Sequence, residues 1–233
     1  MTANVIRLRA VVALLAVTAG AARVEAEAQG YVVDPGRSRV RIHLDRAGLV
    51  KFMGHAHEIE APVADGRVEV VDNDPARSSV SLRFGAARLA VVPGSEAAGD
   101  IPTVEERMRG PEVLDVARYP EITFVSKSVR SVEAQGDRFR IVVTGSLTLH
   151  GRAVPVDIPL DVTRASDGSM DARGETALKH KDLGIEPPAV AGVVKVADRF
   201  RLQLEVHATA AAASGSTAQK PGPSTRTGGS VRH

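Results

Sequence analysis

The chain has 233 residues, 43% hydrophobic but only 3% aromatic, so it can bury a core yet has little aromatic bulk to fill one. It has no cysteine, which excludes disulfides, thiolate metal sites, a cysteine nucleophile and a lipidated cysteine. The formal net charge of +2 belongs to the two ends: residues 30–208 alone carry about −2, so the electrostatic footprint of a nucleic-acid binder is missing.

Residues 1–28 read as a signal peptide. Arg7 and Arg9 form a basic start, the apolar run Ala10 to Ala22 follows, and small residues flank Val24-Glu25-Ala26 and Ala26-Glu27-Ala28. The run is shorter than the ~20 residues a spanning helix needs, and no later segment is apolar enough to cross a membrane as a helix. The expected location is therefore outside the cytoplasm, periplasmic or secreted.

Strict alternation begins at Arg39. Val40, Ile42 and Leu44 share one face, and Arg39, Arg41, His43 and Asp45 share the other. In 55–63 the same parity puts His55, His57, Ile59, Ala61 and Val63 together, with Glu58 and Glu60 opposite. Weaker strand patterns occupy 66–71, 79–92 and 121–132. Pro102 to Gly110 is the one helical stretch, with Pro102 placed for a first turn. Alternation returns at 137–149 (Phe139, Ile141, Val143, Leu147 and Leu149 on one face), at 154–162, weakly at 168–177, and at 200–206. A short turn is expected over 178–184. Asp65-Gly66, Gly136-Asp137 and Asp167-Gly168 read as hairpin turns. One-sided alternation favours antiparallel pairing, and about eight such strands build a closed barrel or a sandwich. Residues 209–233 are rich in Ala, Ser, Thr, Gly and Pro without apolar period, and are expected to be a disordered tail.

Few residues carry obvious chemistry. In Gly54-His-Ala-His-Glu-Ile59, two imidazoles two residues apart on a strand are spaced to grip one divalent ion. A zinc site needs a third ligand, and His43, His150, His180 and nearby carboxylates are all candidates that spacing does not choose between. Half-buried histidines at a barrel rim, or histidines contacting a ligand's polar end, fit the same pattern. There is no Gly-x-Ser-x-Gly and no phosphate-binding glycine loop, and nothing groups Ser, His and Asp, so no catalytic residues are assigned and an enzyme with a histidine base is the weakest reading. Asp100, Glu105, Glu106, Glu112 and Asp115 read as a solvated face. A barrel of this size either packs solid or holds one small apolar ligand.

Several motifs resemble one family. Tyr119-Pro-Glu-Ile-Thr-Phe-Val-Ser126 is similar to the "YPxIxFxS" segment of the YceI-like proteins. Gly145-Ser-Leu-Thr-Leu-His-Gly151, with Val156 and Leu160 after it, looks like that family's "GxLTLHGxxxxVxL" hairpin. Tyr31-Val-Val-Asp34 followed by Ser38-Arg-Val40 resembles its opening strand, and Asp182-Leu-Gly-Ile185 its "DFGI" turn. The four occur in the family's order across most of 31–208. Arg37 replaces a usual histidine, Leu183 a usual phenylalanine, and the histidine pair stands where many members have Gly and an aromatic.

The resemblance implies an all-β fold, an eight-stranded antiparallel lipocalin-like β-barrel with one or two short helices. It implies export and a polyisoprenoid or other lipid-like ligand in an apolar lumen, with no enzymatic activity. The residues expected to contact such a ligand are Val40, Ile42, Leu44, Leu82, Phe84, Ile122, Phe124, Phe139, Ile141 and Leu147, with His55 and His57 at the mouth against a polar head group or an ion. The alternative is a periplasmic metal-binding protein built on His55 and His57. A homodimer is allowed by the sequence and not specified by it.

Overall fold

The structure, a computed structural model, describes residues 28–47, 57–72, 74–185, 189–190 and 194–212. Twelve strands form one sheet: β1 (Gln29–Val33), β2 (Arg39–Ala47), β3 (His57–Glu60), β4 (Val63–Val70), β5 (Ser79–Gly85), β6 (Ala90–Val91), β7 (Glu121–Gln135), β8 (Arg138–Leu149), β9 (Arg152–Arg164), β10 (Met170–Lys179), β11 (Ala189–Val190) and β12 (Val194–Ala210). Among the described residues one α-helix, α1 (Ile101–Arg109), interrupts them.

Eight of these strands close a ring. The order β1-β4-β5-β7-β8-β9-β10-β12 returns to β1 through β12, and every pairing is antiparallel. A closed antiparallel barrel has no free edge there. The fold class expected from alternation and from the family motifs is the one observed.

The other short strands continue three barrel staves past a break. β1 and β2 both run along β12, β1 opposite Ala208–Ala210 and β2 opposite Lys195–Glu205. Between them the Asp34 side chain accepts hydrogen bonds from the Gly36 and Arg37 amides and folds the chain outward. Ser38 then bridges back to β12, its Oγ accepting from the His207 amide at 3.1 Å. β3 and β4 break in step with them at 61–62, where the Ala61 amide still donates to the Val40 carbonyl. β5 and β6 break at the 3-10 turn Ala86–Arg88, and β6 leaves β7 to pair with β3 alone.

The segment between β6 and β7 lies along this break. Met108 and Leu114 are buried in the core cluster. Glu105 accepts a hydrogen bond from the Val91 amide, and Arg109 bonds both Glu105 and the Leu89 carbonyl. Glu105 is thus a tie between α1 and the sheet, and the expected solvated acidic face loses that member.

Three boundaries differ from the sequence expectation. The strand read over 55–63 is split between β3 and β4. Asp65-Gly66 is no hairpin turn: it lies inside β4 next to a bulge. A Cβ at Gly66 would meet Val33 and Leu82 at 2.7 and 2.8 Å, so this glycine serves close packing, not chain reversal. β12 extends through Thr209 and Ala210, assigned above to the tail, because they complete the pairing that closes the ring. Residues 213–233 of the tail and residues 1–27 lie outside the described residues. Among the described residues no helix is long and apolar enough to cross a membrane.

Candidate functional site

The ring encloses a cavity of about 300 Å3 that runs from one end of the barrel to the other. Strand parity builds its wall. Along β8, Phe139, Ile141, Val143 and Leu147 line it, and along β12 Phe200, Leu202, Leu204, Val206 and Ala208 do, while Arg201, Gln203 and Glu205 stay exposed outside.

All ten aliphatic and aromatic residues read from the sequence line this cavity. Val40, Leu82, Phe84, Ile122 and Phe124 are buried. Ile42, Leu44, Phe139, Ile141 and Leu147 point the same way but are only half-buried. Ile42, Leu44, Ile141 and Leu147 pack against the buried core and also line the cavity, so aliphatic packing leaves the lumen unfilled. Sequence reasoning missed Leu89, which reaches the cavity from the β5–β6 connection, and Met108, Val113 and Leu114, which reach it from the β6–β7 connection. No alternation marks a connecting segment, so no pattern could have placed them.

The two histidines have separate outcomes. His55 lies outside the described residues. His57 opens β3, in register with Leu44. The other histidines named above lie on separate elements. His43 is on the outer face, Nε2 against Gln203 at 3.0 Å and Nδ1 near Glu58 at 3.3 Å. His150 forms half of the β8–β9 turn, edge-on to Tyr119. His180 lies in the 3-10 turn after β10. Among the described residues no three His, Asp or Glu side chains are grouped to hold a metal ion.

The two ends of the cavity differ in chemistry. At the end carrying α1, the cavity is shut by Leu183, Ile185 and Phe200, all buried. Leu183, which stands where the family motif has phenylalanine, is 1% exposed and serves as the plug. Gly184 follows with φ of +73°, turning the chain so that the Ile185 amide reaches the His180 carbonyl. The His180 ring packs on Phe200, and its Nδ1 donates to the Asp198 carbonyl at 2.9 Å.

The opposite end, where the β4–β5, β7–β8 and β9–β10 connections lie, is polar. Asp72, Ser78, Ser131 and Arg164 line the cavity there. Arg164 Nη2 donates to Asp72 Oδ1 at 2.6 Å, and Nη1 to Oδ2 at 3.4 Å. The guanidinium also lies over the Phe139 ring, 5.8 Å from its centre. The hydrogen bond that Arg164 donates to Asp72, opposed by partial burial, holds Arg164 more firmly protonated than a free arginine.

Comparison with known proteins agrees with this geometry. The family model of the YceI-like domain matches residues 31–208. Among solved structures, BcnA of Burkholderia cenocepacia superposes with a TM-score of 0.59 at 22% identity, covering 76% of this chain and 99% of that one. A polyisoprenoid binding domain from Saccharophagus degradans, described as implicated in plant cell wall breakdown, superposes with a TM-score of 0.56 at 16% identity, covering 78% and 99%. No curated protein matches the sequence. The family-model match spans the whole barrel, from the strand that opens the ring to the one that closes it, and the chain belongs to the family of YceI-like domain proteins.

Proposed function

We propose that this protein is an exported carrier that holds one amphiphilic lipid of the isoprenoid type in its barrel, and that it binds without catalysing a reaction. The observation that carries the reading is the half-buried state of Ile42, Leu44, Ile141, Leu147, Leu202 and Val206 around an apolar lumen. These aliphatics pack against the core and also line the lumen, and an apolar guest would bury the surface they still expose there, each buried methylene contributing roughly 0.8 kcal/mol. The volume, about 300 Å3, is at the small end of the ligand-pocket range, which suits a chain of farnesyl size. The polyisoprenoid binding described for the Saccharophagus degradans relative supports the ligand class. The basic start and apolar run of residues 1–28 support export.

The test is native mass spectrometry of the purified protein beside Ile141→Arg. The parent is expected to carry an added mass that extracts into organic solvent. Ile141→Arg places an unpaired charge against an apolar lumen, and a folded variant is expected to lose that mass. A variant with native circular dichroism that keeps the extractable lipid would overturn the assignment of the lumen as the site. An added mass of an ion alone would favour the metal reading built on His55 and His57.

A further inference from the structure

The cavity's polar end holds a preformed charge pair in an unusual place. Asp72 follows β4, and Arg164 ends β9. In the ring of eight, three strands separate β4 from β9 on either side, so the staves that lead to the two residues are opposite each other. Their ion pair is therefore a bar across the barrel's end, made of side chains that also line the lumen. Arg164 packs over Phe139, and its Nε is buried without a hydrogen-bond partner among the described residues. The hydroxyls of Ser78 and Ser131 complete the polar lining.

Among the described residues the far end offers nothing comparable. Its one polar lining side chain among them, His180, has its Nδ1 committed to the Asp198 carbonyl beneath the buried plug of Leu183 and Ile185. An amphiphile in this cavity has one orientation that wets its head and dries its tail: head at Asp72 and Arg164, tail toward Leu183. That is opposite to the placement expected from His55 and His57, since β3 begins at the plugged end, opposite Leu44.

The charge state of the bar also selects the head. The Arg164 cation is already balanced by Asp72, and Asp137, whose backbone carbonyl accepts from the Arg164 amide, places a second negative charge near it. A phosphate, with about −1.5 to −2 charge at neutral pH, would have to displace Asp72 or face it at close range. A hydroxyl or carbonyl meets donors and acceptors with no charge to strip of water. We propose that the Asp72–Arg164 pair is a head-group subsite that admits uncharged prenyl ligands, alcohols or quinone-type carbonyls, and discriminates against prenyl phosphates. This inference rests on the lipid-carrier reading above.

The experiment is calorimetric titration of the delipidated full chain with farnesol and with farnesyl phosphate. The parent is expected to bind farnesol more tightly. Asp72 is largely exposed, so Asp72→Asn keeps the fold while freeing the Arg164 charge, and is expected to shift the preference toward the phosphate by about fivefold, the worth of one partly solvated charge pair. Arg164→Gln in the Asp72→Asn background is expected to abolish that shift. A parent that prefers the phosphate, or an Asp72→Asn protein whose preference is unchanged while both ligands bind, would overturn the subsite. Failure of the folded parent to bind either ligand is a different result: it removes the carrier reading itself, and the subsite with it.

Discussion

Gly145 has no side chain, and Phe124 uses the space. A Cβ on Gly145 would lie 2.5 Å from the tip of the Phe124 ring and 2.7 Å from the Val125 carbonyl. The two residues belong to neighbouring strands, β8 and β7, and the ring lies over the bare backbone inside the barrel. This ties together two of the four motifs by which the sequence resembles its family, the one over 119–126 that holds Phe124 and the one that starts at Gly145. The second motif ends in another such pair: His150 and Gly151, with φ of +51° and +72°, make the two-residue turn between Leu149 and Arg152, and Tyr119 packs against it. Gly145→Ala is therefore expected to lower unfolding free energy by about 1–3 kcal/mol, the usual cost of overfilling a packed site. Urea unfolding of the pair of proteins measures it, and equal midpoints would show that Phe124 swings into the lumen at no cost.

At the scale of elements, the β9–β10 turn is held by one carboxylate. Asp167 accepts hydrogen bonds from the Ser169 hydroxyl at 2.7 Å and the Ser169 amide at 2.9 Å. These bonds, the hydroxyl's first, hold the Asp167 carboxyl below the ordinary aspartate range. A carboxyl lowered in the folded state stabilises the fold above its unfolded value, near 3.9, and that contribution is lost as pH falls through the lower folded value. Asp167→Ala is expected to unfold at lower urea than the parent at pH 7, with the difference closing below about pH 3.9. A difference that persists undiminished at pH 2.5 would show that the bonds do not require the ionised form, with pH chosen about a unit below that reference.

This turn was legible because Asp-Gly leaves a local signature, and so were β2, β8, β9 and the stretch 200–206 of β12, whose two faces meet different media. Legibility failed where distant chain decides. The break at 61–62 falls on Pro62, which cannot donate to a strand ladder; the alternation over 55–63 runs across that proline, and the break accompanies the bend at 34–38 in the partner stave. Asp65-Gly66 has the composition of a turn but is a strand residue pair, because Val33 and Leu82 need the room. The lumen's ten inward residues could be read, since parity alone assigns a face. Asp72 and Arg164 could not: they are 92 residues apart, and only closure of the ring brings them together.

For the whole molecule, an unfilled lumen makes stability depend on what occupies it. The barrel closes every backbone edge along its ring, but the inward aliphatics lack the contacts a solid core would give them, and those contacts are a guest's to supply. A ligand that binds only the folded chain stabilises it by about 2.7 kcal/mol when present at a hundredfold excess over its dissociation constant. For a domain of this length that corresponds to roughly 5–10 °C in melting temperature. Extraction of the purified protein with organic solvent or detergent, followed by refolding, is expected to lower Tm by that amount, and farnesol is expected to restore it in a concentration-dependent way. Ile141→Arg should melt at the same temperature with and without farnesol, because it has no site for the guest. If the delipidated parent melts where the native protein does and farnesol leaves both unmoved, the lumen is a packing defect the fold tolerates, and stability and cargo are unrelated.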